Sequence, residues 1–337
     1  QMNERAYYGH ESQLFGVEEY RLAGGKGDGM RLLQVKNGLG LEFTVSADRC
    51  ADIARLSLHG QNCGFFSVNG YVDPAYYDDR QAGWLKNFTA GFLTTCGLLA
   101  VGSPCTDEGQ ELPLHGAIDN IPAEHILWDM DEEKIWIKAT MRHAQIFAEK
   151  LLMTRTITCS KLKNEITIED KIENIGAECT PVMLLYHMNM GYPMLSEDAE
   201  LCIPAAEVLP RNEHAAEDID TWNKVLTPTP GFEERCYYHE FKGKPGMAAI
   251  YNHARGYGLQ IQFDSSSLDC FTQWKMMGYK DYVMGLEPGN CYPDGRDVMR
   301  STGRLKFLEP GESKCYGVRL TMIENDDQWQ TILNQAK

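Results

Sequence analysis

Residues 134–144 (KIWIKATMRHA), 149–158 (EKLLMTRTIT) and 164–173 (NEITIEDKIE) are three consecutive segments in which apolar and polar side chains alternate with period two. An extended backbone turns successive side chains to opposite faces, so this pattern predicts neighbouring strands with one buried face. In the third, Ile166, Ile168 and Ile172 should point one way and Thr167, Glu169 and Lys171 the other. Residues 257–263 (YGLQIQF) repeat the pattern. Residues 180–190 (TPVMLLYHMNM) and 315–323 (CYGVRLTMI) are more continuously apolar, as central strands covered on both faces should be.

Turn clusters separate these runs, among them Lys163-Asn164, Asn174-Ile175-Gly176, Lys242-Gly243-Lys244-Pro245-Gly246 and Glu309-Pro310-Gly311-Glu312. Helical periodicity is confined to 326–336 (DDQWQTILNQA), with Asp326 or Asp327 as N-cap. Strands following strands with one terminal helix argue against βαβ units and predict an all-β fold, a single large β-sandwich. With no linker, fixed-period repeat or low-complexity tract, residues 1–337 read as one domain, with a core over about 30–325 and the short helix at its end. Residues 68–92 and 204–235 are long, aperiodic and rich in Tyr, Asp, Pro and Gly, a composition expected of loops that cover a site or an interface.

With 43% hydrophobic and 24% charged residues the chain can bury a large core, and its net charge of −16 opposes binding to nucleic acid or anionic membranes. No apolar run approaches a membrane span, and QMNERAYYGHESQLFG at the start lacks the apolar stretch of a signal peptide. Gln1 ahead of Met2 reads as a cloning remnant. Eleven cysteines without a C-x-x-C pair suit reduced thiols and a cytoplasmic protein. The glycine-rich stretch Ala23–Gly29 lacks the strand–loop–helix context and G-K-[ST] ending of a phosphate loop.

Four constellations carry possible chemistry. His187 and Asn189 share one face of an otherwise apolar strand, where each needs a partner or a cleft. Glu287 stands where the apolar strand YVMGL (282–286) meets a turn in Gly285-Leu286-Glu287-Pro288-Gly289. His115-Gly116 lies in a loop after Phe92-Leu93-Thr94-Thr95-Cys96-Gly97-Leu98, and Arg49 precedes Asp52 in Ala47-Asp48-Arg49-Cys50-Ala51-Asp52. For the last, a structural ion pair and a ligand contact are both open.

Taken in order, R-x-x-D, T-T-C-G-L, H-G, H-x-N-x-G-x-P and G-L-E-P-G from Arg49 to Asn290 resemble the aldose 1-epimerases, or galactose mutarotases, in a less characterised branch. The resemblance implies a supersandwich whose cleft holds a monosaccharide or sugar derivative between two histidines and a glutamate. It assigns Glu287 as base, His187 as acid and His115 as an orienting group, and it implies neither cofactor nor metal. Two departures are visible: His115-Gly116 is followed by Ala117, where an arginine often follows, and Glu287 by Pro288, where threonine is usual. Arg49, Asp52, Lys86, Phe88, Thr95, Asn189 and Trp274 are the expected substrate contacts, and Trp84 is a further candidate for stacking on a sugar. Two alternatives stand beside this reading: a catalytically silent sugar-binding protein, and a metal-dependent sugar isomerase using His115, His187, Glu287 and Cys96 as ligands. A homo-oligomer is compatible with all three.

Overall fold

The computed structural model describes residues 6–337, so the Gln1–Met2 start lies outside the described residues. Strands make up 47% and helices 12%, as the alternating patterns require. The three opening segments form the antiparallel strands Lys134–Ala144, Lys150–Ser160 and Glu165–Asn174, paired in that order. They belong to an eight-stranded sheet that begins with His125–Met130 and continues through Ser313–Ile323, Tyr257–Phe263, Gly246–Asn252 and Ala199–Cys202. Ile166, Ile168 and Ile172 are buried, while Glu169 and Lys171 are exposed.

A second sheet carries, in order, Glu207–Pro210, Arg235–Glu240, Cys270–Met277, Tyr282–Gly289, Thr180–Met190 and Lys306–Leu308, with Leu93–Leu98 also paired to Thr180–Met190. All of Thr180–Met190 is buried, as its continuous apolarity predicts. Its two faces serve different purposes. Val182, Leu184, Tyr186, Met188 and Met190 join the main core with residues of the eight-stranded sheet. Met183 and Leu185 instead join a smaller cluster with Trp84, Phe88, Cys96 and Cys270, and His187 continues that second face. A five-stranded sheet from Gly16–Arg21 to Gln61–Asn62 closes one side of the main core.

Three parts of the fold are tied together inside that core by charge. Arg155 is fully buried and meets Asp170 with Nε and Nη2 (2.9 and 2.7 Å), Asp52 with Nη1 (2.6 Å) and the Thr95 hydroxyl with Nη2 (2.8 Å). Asp170 also accepts from the Tyr186 hydroxyl at 2.8 Å. Removing one charged partner of such a network leaves the others buried and unmatched, at a cost of about 3–5 kcal/mol.

The terminal helix spans Asp326–Gln335, and its N-cap is Asn325 rather than Asp326 or Asp327. Asn325 keeps an extended backbone, and its side-chain oxygen accepts the Gln328 N–H at 3.0 Å. Trp329 anchors the helix, stacked on Tyr251 and donating to Glu200. No helix among the described residues is long and apolar enough to cross a membrane, and all eleven cysteines are free thiols.

Candidate active site

Four adjacent strands, Arg235–Glu240, Cys270–Met277, Tyr282–Gly289 and Thr180–Met190, build the floor of a pocket of about 250 Å³. Antiparallel register sets Thr272 opposite Glu287, and Gly285 opposite Trp274 on one side and Asn189 on the other. The alternation that sends Met284 and Leu286 into the main core turns Glu287 to the pocket. The Glu287 carboxylate folds back over Gly285, where an added Cβ would lie 2.0 Å from Oε1 and 2.9 Å from Cβ of Trp274. Only glycine leaves that space. Oε1 then stands 3.3 Å from Nε2 of His187, and both side chains are nearly inaccessible.

His115 arrives from a loop held against Leu93–Leu98. Gly97 donates to the His115 carbonyl (3.0 Å), and Ala117 donates to the Gly97 carbonyl (3.0 Å). The backbone runs so close that a Cβ on Gly116, which also has φ +75°, would meet the Gly97 carbonyl oxygen at 2.3 Å, which explains the H-G pair physically. The N–H of Gly102 donates to Nδ1 of His115 at 3.3 Å. That nitrogen is therefore an acceptor, and a neutral ring carries its proton on Nε2.

Rings surround His187: Phe88 at 5.4 Å between centroids, Trp274 at 5.3 Å and His115 at 5.5 Å. Trp84 stacks on Phe88 (4.4 Å) and lies 4.7 Å from His115. Aromatic walls around a few convergent polar groups are the usual make-up of a small-ligand site.

Burial drives Glu287 well above the ordinary carboxylate range, nearby Glu234 adds to the shift, and Arg211 opposes it. Burial takes His187 down to about 4, against smaller opposing effects from the Asn189 side chain and its own backbone. His115 also lies well below the usual imidazole value, through burial first and then the charges of His187 and Arg211. Burial thus disfavours the charged form of all three groups: both imidazoles are neutral near neutral pH, and Glu287 holds its proton more tightly than an ordinary carboxylate. The sequence-based expectation is an ionised glutamate beside an imidazolium; a dry pocket penalises both of those charges.

Of the ten residues expected to act on or contact the sugar, His115, His187, Glu287, Phe88 and Trp274 line one pocket, and the further stacking candidate Trp84 lines it too. The other five do not. The side chain of Asn189 shares the face of His187 but is roofed by the chain around Ala90, where its Nδ2 meets the carbonyls of His187 (3.0 Å) and Ala90 (3.4 Å). Asp52 and Thr95 are drawn into the Arg155 network, with the Thr95 N–H and hydroxyl donating to Asp52 at 2.8 and 2.5 Å. Arg49 points at Asp119 and backbone carbonyls behind the pocket. Lys86 is exposed and pairs with Asp78 at 2.6 Å.

Arg211, Glu234, Cys236, Thr272 and Ser103 also line the pocket and escaped the sequence reading. Arg211 and Glu234 come from the aperiodic stretch 204–235, and Trp84, Leu85 and Phe88 from 68–92. The length of those stretches was the available signal. Glu234 accepts from Trp274 Nε1 at 2.6 Å and so fixes the indole beside His187. No group of three or more His, Cys, Asp or Glu side chains among the described residues is arranged to hold a metal ion, and Cys96 lies buried outside the pocket lining.

Residues 27–322 match the family described as Domain of unknown function (DUF4432). No curated protein matches the chain. Among solved structures, a protein from Klebsiella pneumoniae subsp. pneumoniae MGH 78578, provisionally named an aldose 1-epimerase, is 27% identical and superposes with a TM-score of 0.90 over 97% of this chain and 89% of that one. A galactose mutarotase-like protein from Clostridium acetobutylicum is 13% identical, with a TM-score of 0.68 over 93% of this chain and 99% of its own. Galactose 1-epimerase from Lactobacillus acidophilus NCFM is 15% identical, with a TM-score of 0.65 over 92% and 99%. At such identities the last two likenesses speak to the fold, which is the galactose mutarotase-like sandwich. Matched over most of its length, the chain belongs to the DUF4432 family and is built on the aldose 1-epimerase fold.

Proposed function

We propose that this protein interconverts the α and β anomers of a free aldose or close derivative by acid–base ring opening. The observation that carries the reading is the contact between His187 and Glu287, a base and an acid of altered proton affinity 3.3 Å apart in an aromatic pocket.

Opening a cyclic hemiacetal requires loss of the anomeric hydroxyl proton and gain of a proton at the ring oxygen, with cleavage of the bond between C1 and that oxygen. In the resting arrangement His187 accepts the hydroxyl proton while Glu287 delivers its own to the ring oxygen. The open-chain aldehyde rotates about C1–C2. Closure on the other face then runs the transfers backwards: imidazolium returns a proton to the carbonyl oxygen, and the Glu287 carboxylate recovers one from the hydroxyl. The pair carries a single proton throughout, so the arrangement of carboxylate and imidazolium is the same catalyst half a cycle later. His115 contributes its Nε2–H as a hydrogen-bond donor to a substrate oxygen, and the aromatic rings hold the sugar face.

The test is proton NMR of freshly dissolved aldoses in D₂O, with and without the protein. Accelerated anomer equilibration without deuterium on carbon is the expected result, since protons move only between oxygens. Ketose signals or deuterium at C2 would indicate an isomerase, and saturable binding without acceleration would indicate a silent sugar-binding protein.

A further inference from the structure

Arg211 carries the only guanidinium or ammonium group among the described residues lining the pocket. Its donors are directed at two separate segments. Nε donates to Asp294 Oδ1 at 3.0 Å, and Nη2 donates to the Pro293 carbonyl and to the Ser103 hydroxyl, both at 3.0 Å. Asp294 is held in turn by the Tyr238 hydroxyl at 2.6 Å.

The Ser103 side of this bridge leads directly to His115. Gly102 accepts the backbone N–H of His115 at 2.9 Å and donates its own N–H to Nδ1. The Pro293 side follows the strand that carries Glu287. Backbones of the two segments touch: Ser103 donates to the Pro293 carbonyl at 3.3 Å, and a Cβ on Gly102, where φ is +81°, would lie 2.0 Å from the Pro293 carbonyl carbon.

We propose that Arg211 is a positioning residue for the anomer exchange: its guanidinium clamps Gly102–Ser103 to the Pro293–Asp294 turn and thereby holds His115 as the tautomer presenting Nε2–H to the pocket. The catalytic half of this statement rests on the function proposed above; the tautomer half does not. The groups facing the guanidinium are Asp294, Tyr238 and Cys236, with Glu234, His115 and Glu287 across the pocket. A positive charge alone does not make the clamp. Three directed bonds need the planar fork of arginine, which lysine lacks.

The experiment compares wild type, Arg211→Gln and Arg211→Lys by long-range ¹H–¹⁵N correlation of histidine-labelled protein near neutral pH, with His115→Asn used for assignment. Wild type should show His115 with its proton on Nε2, and both variants should show a mixture of tautomers. In the anomer assay both should lose kcat by about 10²-fold, the usual cost of a small misplacement, with KM little changed. Placing Arg211→Lys, which keeps the positive charge near Glu287, in the His115→Asn background should add nothing. Melting temperatures identify a variant that merely unfolds, and the lysine variant then stands as the second test. An unchanged tautomer in folded Arg211→Gln, or wild-type behaviour of Arg211→Lys, overturns the clamp. If the wild type shows no turnover, the proposed reaction fails while the tautomer measurement still decides the clamp.

Discussion

Nε2 of His187 and Oε1 of Glu287 approach to 3.3 Å without forming an aligned hydrogen bond, and Oε1 has no hydrogen-bond partner among the described residues. Buried polar atoms left this way cost about 1–3 kcal/mol each. A folded chain keeps such atoms where a substrate can satisfy them, and the hydroxyl and ring oxygen of a sugar offer both a donor and an acceptor. Replacing the acid with its amide isolates proton transfer from shape. Glu287→Gln should retain sugar binding while turnover falls by about 10²–10⁴, and His187→Asn should do the same. Calorimetry beside the NMR assay separates the two quantities, and full activity in Glu287→Gln would remove this residue from the chemistry.

The proton placement predicts the pH profile. Below about 4 His187 takes up a proton while Glu287 keeps its own, so the pair holds two protons and has no acceptor. The rate should therefore fall as the pH drops through about 4, well below the value of an ordinary imidazole. On the alkaline side the rate falls once Glu287 ionises without a proton on His187. That limb lies well above the usual carboxylate range, because burial raises Glu287. The profile of kcat/KM reports the free enzyme. An acid limb near the ordinary histidine value would mean that the free enzyme carries imidazolium.

Gly285→Ala tests the space beneath the carboxylate. The new methyl group would lie 2.0 Å from Oε1 of Glu287 and 2.9 Å from Cβ of Trp274. Since Gly285 does not have a positive φ, backbone strain does not enter. The carboxylate is the mobile partner and must swing away from His187, so kcat should drop by about 10²-fold with a small change in melting temperature. Wild-type kcat in this variant would show that the folded-back position of Glu287 is not required.

Much of this was legible in the sequence because strands announce their faces. Alternation along Thr180–Met190 separates the core residues from His187, and the same rule turns Glu287 toward the pocket. It failed for Asn189 because a strand face says nothing about what covers it, and here the chain around Ala90 does. The fate of Asp52 was encoded elsewhere. Leu151, Met153, Ile157 and Cys159 form the buried face of one strand, and Arg155 stands among them. A guanidinium on an apolar face demands buried carboxylates, and Asp52 and Asp170 are those partners. Arg211 and Glu234 had no pattern to betray them, since 204–235 has no regular period.

Arg49 offers the sharpest contrast between a ligand contact and a support. Its guanidinium meets the Asp119 carboxylate at 2.7 Å and the carbonyls of Asp119 (2.6 Å), Val72 (2.9 Å) and Asn87 (2.9 Å), which takes four of its five N–H donors, and the side chain does not line the pocket. Asp119 accepts from Trp84 Nε1 at 3.1 Å, and Trp84 packs beside His115. The arginine thus holds one wall of the pocket from behind, through a carboxylate that burial pushes up in pKa and Arg49 pulls back. Removing one partner of such a pair leaves a buried charge unmatched, at about 3–5 kcal/mol. Arg49→Gln should accordingly lower the melting temperature strongly, and any protein that stays folded should show reduced kcat with KM nearly unchanged. Asp119→Asn keeps an acceptor for the indole but removes the charge under Arg49, so it should lose stability while preserving the orientation of Trp84, measurable by its fluorescence. A variant at Arg49 with native stability and a raised KM would return this residue to the list of sugar contacts.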